Sequence, residues 1–368
     1  MSVPPPLSVL LPVRDGAPFL DEALRSLTEQ SFADFEIVAV DDGSRDATAE
    51  ILEDRARRDL RMRVLHQEAS GIVAALERAR REARGAILAR MDADDVAHPD
   101  RFRLQMDLLA SDPALAAVGS RIRYFPRDAV RDGARRYEAW INATAAPDEV
   151  ERDLFIECPL AHPTFFMRAE AVDAVGGYRD RGWPEDYDLI LRLWRGGGRF
   201  AKVPRVLLEW REGPRRLSRT HARYGEEAFR RCKVHHLKAA FFQGAGEPGG
   251  PEPGGPAAGA SPLRPPRAPA ARGGVPRGVV LWGAGPVGKG LSRELRRAGI
   301  AVRAFAEVDP RKLGQEIHGA PVLDQEGALG LEGVLHLAAV GQPGARETLR
   351  SLLAEAGLRE MRDFVVMA

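Results

Sequence analysis

The chain has 368 residues, more than one average domain contains, and therefore predicts two domains. Lys and Arg together number 54 and Asp and Glu 53, so the charge argues against a nucleic-acid-binding protein. Cys158 and Cys232 form neither a disulfide framework nor a metal-ligand spacing, which predicts a reducing compartment. The N-terminus lacks a basic signal-peptide region, and no apolar run is long enough for an integral membrane segment. We therefore expect a cytoplasmic protein, with a peripheral position at the inner membrane face as an open alternative.

Strand and helix signals alternate along the first part of the chain. Apolar runs predict strands at residues 7–13, 35–40, 63–65 and 86–90. The spacing of apolar residues predicts helices over 18–30, up to residue 60, over 71–83 and over 187–194. This order predicts an α/β fold in which helices flank a mostly parallel sheet. Ligands of such sheets bind beyond the carboxyl ends of the strands.

Three of these predicted strands end in polar residues. Arg14 and Asp15 follow the first strand, Asp41 and Asp42 follow the second, and RMDADD occupies residues 90–95 after the fourth. Because the carboxyl ends of parallel strands meet at one edge of a sheet, we expect these groups to converge.

The RMDADD stretch places three carboxylates within four residues, and their repulsion costs free energy unless a cation compensates it. Asp92 and Asp94 are two positions apart and can face the same side, where hard oxygen ligands suit Mg²⁺ or Mn²⁺. The alternative is a solvated turn, with Asp95 capping a helix that begins near Pro99. The neighbouring polar strand ends favour a metal site.

Four motifs in fixed order resemble those of family 2 inverting glycosyltransferases. They are SVLLPVRDGAPFLDEALRSLTEQSFADFEIVAVDDGSRDAT, RMDADDVAHPDRFRLQ with its DXD motif, ECPLAHPTFFMR, and WPEDYDLILRLWRGG. The resemblance covers about residues 7–243 and implies the GT-A nucleotide-diphospho-sugar transferase fold. It also implies transfer of a sugar from a nucleotide-diphosphate sugar to a hydroxyl of a saccharide or lipid-linked acceptor, in cell-surface polysaccharide or glycoconjugate synthesis.

The resemblance also implies roles for individual residues on the donor side. Pro12, Val13 and Asp15 border the base and ribose, Asp42 accepts a hydrogen bond from the base, Asp92 lies near the ribose and diphosphate, and Asp94 ligates the metal together with Asp92.

On the acceptor side, the resemblance places the catalytic base at Asp186, with Glu185 orienting the acceptor. Capping of the helix over 187–194 is the alternative role of these acids, and both roles can hold together. His162 is a lesser candidate, equally compatible with a packed loop histidine, and Trp183 is compatible with sugar stacking or with the core. Arg215, Arg216 and Arg219 could close over the diphosphate or lie on the surface.

Two departures from the family pattern affect the substrate and the reaction. Residues 75–79 read ALERA where many relatives have an ALNxG-like stretch, which weakens a donor contact from this helix. Residues 191–194 read LRLW where processive members have QxxRW, so we expect a single-addition enzyme.

Residues 244–277 separate two domains, 1–243 and 278–368. Of these 34 residues 18 are Gly or Pro, a composition that predicts a disordered linker. Coupling between the domains would then need a direct interface, and we expect residues 1–243 to fold and act alone.

The second domain begins like a Rossmann-like α/β unit. A strand at 279–282 leads into Gly283, Gly285 and Gly288 in a GxGxxG turn before a helix, and a strand at 301–306 ends at Glu307. These features fit a second nucleotide ligand, and a structural or docking role is equally open.

Two other classes of protein fit the sequence less well. A catalytically silent nucleotide-sugar-binding sensor or scaffold is the alternative function, and the retention of Asp92, Asp94 and Asp186 argues against it. A nucleotidyltransferase would need a glycine-rich basic loop after the first strand, which Arg14-Asp15-Gly16 matches poorly.

Overall fold

A computed structural model describes residues 4–213, 216–243, 274–342 and 344–368. The predicted linker lies outside the described residues over 244–273, and so does Arg215. Among the described residues, no helix has the length and apolar character needed to cross a bilayer.

The described residues before 244 form the first α/β part. Its strands are β1 (Leu7–Val13), β2 (Phe35–Asp42), β3 (Met62–Gln67), β4 (Ile87–Arg90), β5 (Val96–Ala97), β6 (Leu115–Phe125), β7 (Phe166–Arg168) and β8 (Arg199–Arg211). Its α-helices are α1 (Ala17–Thr28), α2 (Thr48–Arg58), α3 (Ile72–Glu82), α4 (Arg101–Ser111), α5 (Asp132–Ala143), α6 (Pro147–Arg152), α7 (Ala169–Ala174), α8 (Glu185–Arg195), α9 (Leu217–Thr220) and α10 (Glu226–Leu237).

The strands of this part form one mixed sheet in the order β3-β2-β1-β4-β7-β6-β8-β5. The first four of these run parallel, β7 is antiparallel to both of its neighbours, β6 and β8 are parallel, and β5 is antiparallel to β8. Leu7 lies opposite Phe35 on one side and opposite Ile87 on the other. This register brings the carboxyl ends of β1, β2 and β4 to one edge and confirms the predicted α/β fold.

Both faces of the central strands are covered, which explains their nearly continuous apolar sequence. Leu10 and Val38 pack into one buried cluster, whereas Leu11 and Ile37 pack into a second one. Successive side chains of a strand point to opposite faces, so one apolar run supplies both cores. The apolar sequence of each central strand stops at the sheet edge, where the polar residues follow.

The described residues from 274 onward form a second α/β part. Its elements are β9 (Val279–Trp282), α11 (Pro286–Arg297), β10 (Val302–Ala306), β11 (Glu316–Ile317), β12 (Ala320–Leu323), α12 (Gln325–Leu329), β13 (Leu335–Ala338), α13 (Ala345–Glu355) and β14 (Phe364–Val366). The strand order is β11-β12-β10-β9-β13-β14, parallel except for β11. A second parallel sheet is therefore present, and its assignment as a separate Rossmann-like nucleotide-binding domain remains a prediction.

The two parts touch directly along α10 and α11, whose buried apolar residues belong to one shared cluster. Lys238 donates from Nζ to the carbonyl oxygen of Ala298 at 2.7 Å, and Arg297 pairs with Glu227 at 3.4 Å. The direct interface that the sequence left open therefore exists.

Candidate active site

The loop after β1 is fastened to the loop after β2. Asp15 donates its backbone N–H to Ser44 Oγ at 2.9 Å, and its Oδ1 accepts from the N–H of Arg45 at 2.8 Å. Gly16 donates its N–H to Thr48 Oγ1 at 2.8 Å. Asp15 adopts the left-handed region with φ 50°, a conformation that aspartate tolerates better than most residues. These contacts hold the loop at the sheet edge, directly after Pro12 and Val13.

Asp42 is 3% exposed and lies at the end of β2. Its carboxylate accepts hydrogen bonds from Gln67 Nε2 at 2.7 Å, from Ser70 N–H at 2.8 Å and from Gly71 N–H at 2.9 Å. Arg14 Nη1 lies 3.8 Å from Asp42 Oδ2. The carboxylate is thus held in place before any ligand arrives, and its expected contact with the base remains a prediction.

Asp92, Asp94 and Asp95 come together as the sequence predicts, with one ligand oxygen from each within 4.8 Å of the others. Burial and the charge of Asp92 raise the pKa of Asp94 to about 6. Burial, reinforced by both neighbouring acids, raises the pKa of Asp95 well above its usual range, and Asp95 Oδ2 is buried without a hydrogen-bond partner. The cluster therefore holds more negative charge than its surroundings compensate, and its oxygen ligands fit Mg²⁺ or Mn²⁺.

Arg211, at the end of β8, organises this cluster and was missed by the sequence reasoning. Its backbone N–H donates to Asp95 Oδ1 at 2.8 Å, and its Nε donates to the carbonyl oxygen of Asp94 at 2.7 Å. Its guanidinium lies 4.2 Å from the ring centre of Phe19 and 4.3 Å from that of Phe125. The sequence offered no clear signal for it, because β8 carries other charged residues along its length, among them Lys202 and Arg205.

Arg90, the last residue of β4, was quoted in the acidic motif but given no role. Its side chain is 4% exposed and forms an ion pair with Asp92. Burial raises the pKa values of Asp94 and Asp186, and the charge of Arg90 opposes this effect. For His162, burial lowers the pKa and the charge of Arg90 lowers it further. Arg90 therefore lies within electrostatic range of both the acidic cluster and the predicted base.

Glu185 and Asp186 begin helix α8, but their environments differ. Glu185 is buried and accepts from the hydroxyl of Tyr224 at 2.7 Å and from Arg223 at 3.3 Å. Asp186 is partly exposed, and its Oδ1 accepts only from the N–H of Tyr187, at 2.7 Å, among the described contacts. Burial and the charge of Glu185 raise the pKa of Asp186 to about 7. An accessible carboxylate with this pKa is suited to accept a proton near neutral pH.

Two of the lesser candidates, His162 and Trp183, are held by contacts with neighbouring side chains. His162 Nε2 lies 3.1 Å from the hydroxyl of Tyr178, and burial lowers the pKa of His162 well below its usual range, so the ring is neutral. Trp183 donates to Asp188 Oδ1 at 3.1 Å and packs against His235, which favours its role in the core.

The segment after β8 brings further cations towards the acidic cluster. Arg216 lies 4.3 Å from the ring centre of Trp210, and its charge lowers the pKa of Asp94. Both arginines pair with Glu212, Arg216 at 3.2 Å and Arg219 at 2.6 Å, and of the two only Arg216 is among the causes that set the pKa of Asp94. Arg216 is therefore the better placed of the two to meet a diphosphate.

In the second part, the glycine turn follows β9 as expected. A Cβ atom on Gly288 would lie 1.9 Å from the carbonyl oxygen of Gly283, so glycine is required there. Glu307 accepts from the N–H of Ala284 at 3.2 Å and pairs with Lys312 at 2.9 Å. A nucleotide contact at Gly283, Gly285 and Gly288 remains a prediction.

The sequence profile of Glycosyl transferase family 2 matches residues 8–176, which include β1, β2, β4 and the acidic cluster. An uncharacterized glycosyltransferase of Haemophilus influenzae is 30% identical over 209 residues, covering 56% of this chain and 75% of that protein. The chain belongs to glycosyltransferase family 2. The enzyme class predicted from the sequence, a glycosyltransferase, is thereby confirmed.

Other comparisons agree with this family. The amylovoran biosynthesis glycosyltransferase AmsE of Erwinia amylovora is 27% identical over 195 residues, covering 53% of this chain and 71% of that protein. The chain spans only 25% and 29% of the length of two further curated relatives, to which it is 31% and 37% identical. The crystal structure of S. aureus TarS 1-349 with UDP-GlcNAc has a TM-score of 0.52 at 17% identity, covering 64% of this chain and 68% of that one. This likeness confirms the GT-A fold.

The raised pKa values predict that the metal-free protein loses stability as the pH rises. With pKa values of about 6 and about 7, Asp94 and Asp186 keep their protons in the folded state at pH values where the unfolded chain has released them. The free energy of unfolding should therefore fall by about 2 to 4 kcal/mol between about pH 5 and about pH 7.5. Urea unfolding at the two pH values measures this change.

The variant Asp94→Asn is the control for this prediction, because it removes one of the titrating groups. Its loss of stability over the same pH interval should be smaller than that of the unchanged protein. An identical loss in both proteins would show that the acidic cluster is not the source of the pH dependence.

Proposed function

We propose that the protein is a metal-dependent inverting glycosyltransferase that moves a sugar from a nucleotide-diphosphate sugar to an acceptor hydroxyl. One observation carries this proposal: the buried Arg90 lies within electrostatic range of two groups of acids. These are the cluster of Asp92, Asp94 and Asp95, and the accessible Asp186, whose pKa is about 7. Cell-surface polysaccharide or glycoconjugate synthesis is the proposed context, supported by the likeness to AmsE. We place the reaction in the cytoplasm, in line with two free cysteines, and at the inner membrane face where the acceptor is lipid-linked.

On the donor side, the base and ribose would lie against the loop after β1 and the end of β2. Pro12, Val13 and Asp15 border this region, and the fixed carboxylate of Asp42 offers its remaining acceptor capacity to a base N–H. Arg14 and Arg216 would offset the negative charge of the diphosphate.

Asp94, together with Asp92, would hold Mg²⁺ or Mn²⁺. When bound, this ion supplies compensation for the negative charge that the nucleoside diphosphate gains as it leaves. Asp95 stays behind them in a buried position, and its Oδ1 accepts the backbone N–H of Arg211, which fixes the loop that carries Asp94.

On the acceptor side, Asp186 would take the proton of the attacking hydroxyl. The acceptor oxygen forms a bond to the anomeric carbon as the bond from that carbon to the diphosphate oxygen breaks, and the configuration inverts. Glu185 is held by Tyr224 and Arg223 and keeps the pKa of Asp186 high by its charge. Glu185 is therefore a positioning residue on this proposal.

The glycine turn of the second part is proposed to hold a second nucleotide ligand. Its support is the close approach of Gly288 to Gly283 in the first turn of the 12-residue helix α11, where no side chain fits between the turn and the helix. Titration of the full-length protein with NAD, while UDP and Mn²⁺ saturate the donor site, would detect binding at the glycine turn, and no binding of NAD under these conditions would argue against it.

Thermal shift with UDP-, GDP- and dTDP-sugars in the presence of Mn²⁺ tests the proposed function. At least one nucleotide sugar should raise the melting temperature with Mn²⁺ and much less without it. A panel in which no nucleotide sugar has any effect would contradict the proposal.

Replacing Asp94 by Asn should remove most of the metal-assisted affinity for the nucleotide, because one charged ligand is lost while the shape is kept. We expect calorimetric affinity for UDP or GDP to become nearly the same with and without Mn²⁺. Asp107→Asn, on the exposed face of α4, is the matched control and should behave like the unchanged protein. Full metal dependence in Asp94→Asn would place the ion elsewhere.

Replacing Asp186 by Asn should leave nucleotide affinity unchanged and lower turnover on the order of 10²-fold or more, as expected when a general base is lost. In the unchanged protein, a pKa of about 7 means that turnover falls as the pH drops below neutrality, because the base becomes protonated. Initial rates across pH measure both effects, and Asp54→Asn on α2 is the control. Turnover near that of the control in Asp186→Asn would assign the base to another residue.

A further inference from the structure

The turn at residues 153–158, which we call the acceptor-side turn, follows α6 and has no regular secondary structure. On one side it contacts helix α8, where Tyr187 donates from its hydroxyl to the carbonyl oxygen of Leu154 at 2.8 Å. Tyr187 is the neighbour of Asp186 in α8. The turn is therefore connected to the position of the proposed base.

On its other side the turn is held by the second part of the chain. Arg350 in α13 donates from Nη2 to Asp153 Oδ1 at 2.7 Å, and both side chains are buried. The same guanidinium donates to Glu360 at 3.0 Å and to Glu347 at 2.7 Å, so it is fixed from three directions. A charge-assisted contact of this kind is costly to break when one partner is removed, because the other stays buried and unpaired.

An apolar contact also holds the turn, three residues after Asp153. Ile156 is buried in a cluster whose other buried members all come from the second part, among them Trp282, Leu353 and Phe364. Lys233 in α10 then donates from Nζ to the carbonyl oxygen of Ile156 at 2.5 Å and to that of Met367 at 3.0 Å. The lysine thus joins the turn to the last residues of the chain.

The residue after Ile156 is Glu157, whose carboxylate lies close enough to Asp186 to raise the pKa of that base. Burial raises the pKa of Glu157 itself, and the charge of Lys233 opposes this effect. A carboxylate within electrostatic range of the base is suited to accept hydrogen bonds from the hydroxyl groups of an acceptor.

We propose that the second part of the chain forms the outer support of the acceptor site, with Arg350 as a positioning residue that holds the acceptor-side turn and Glu157 against helix α8. This inference rests on the proposed function, since it assigns a task to the acceptor side of that site. It replaces the expectation that residues 1–243 act alone. The second part contributes to catalysis through the turn, without touching the donor.

The two buried cysteines make this proposal testable in the full-length protein. Cys158 ends the acceptor-side turn, whereas Cys232 lies in α10, and burial raises the thiol pKa of both, which slows alkylation. In Arg350→Ala we expect iodoacetamide to modify Cys158 on the order of tenfold faster, with Cys232 unchanged, because the turn opens locally. Mass spectrometry resolves the two sites. Arg297→Ala, which removes an exposed ion pair of the same interface, is the control and should change neither rate.

Turnover gives the second readout. Hydrolysis of the nucleotide sugar that gives the largest thermal shift with Mn²⁺, with water in place of the acceptor, should lose kcat in Arg350→Ala and keep its KM. Arg350→Lys should recover part of the kcat. An unchanged Cys158 rate in folded Arg350→Ala, or equal acceleration at both cysteines, overturns the proposal.

If Arg350→Ala does not fold, the variant Ile156→Val takes its place in the alkylation experiment. This substitution removes one carbon from the buried contact and leaves the charges in place. It should accelerate alkylation of Cys158 selectively and to a smaller extent, and no selectivity would overturn the proposal. If no nucleotide sugar raises the melting temperature of the unchanged protein, the proposed function fails while the cysteine rates still decide whether the second part holds the turn.

Discussion

The buried guanidinium of Arg90 is the interaction on which the rest of the site depends. A buried charge without compensation costs several kcal/mol, as order-of-magnitude estimates give it. Here the compensation comes from two sides, from Asp92 in direct contact and from Asp94, Asp95 and Asp186 at longer range. The acids repel one another and are largely removed from water, so they in turn need the arginine. The charge of Arg90 thus stabilises both the acidic cluster and Asp186, and these acids in turn stabilise the buried charge of Arg90.

This shared charge leaves the acids close to their point of ionisation. Asp94 and Asp186, with pKa values of about 6 and about 7, can both change charge in the physiological range. Arg101 adds rigidity, since its Nη2 donates to the carbonyl oxygen of Arg90 at 2.7 Å from a fully buried position. The strand end is therefore held in place while the charges beyond it remain adjustable, which is the combination that cation binding and proton transfer require.

The sequence predicted what depends on local pattern and missed what depends on distant contacts. Apolar runs that end in polar residues located the strands of the sheet edge, and the spacing of Asp92 and Asp94 located the acidic cluster. The contact of Arg211 with the acidic loop joins residues more than a hundred positions apart, and no local pattern records it. Ile156 likewise reads as an ordinary apolar residue, although it is buried against the second part. Composition predicted a linker between two domains, and it cannot show whether the apolar surfaces on either side of that linker are complementary.

The two sides of the site differ in how they are supported, and this difference explains where the second part packs. The donor side is built from the ends of adjacent parallel strands, which hydrogen bonds of the sheet hold in register. The acceptor-side turn has no such ladder, so contacts with neighbouring elements must offset the entropy of ordering it. The second part provides such contacts through Arg350, which binds Asp153, and through the apolar cluster in which Ile156 is buried. If the proposed function holds, an appended α/β unit can therefore shape the acceptor side while the strand ends of the sheet hold the donor side.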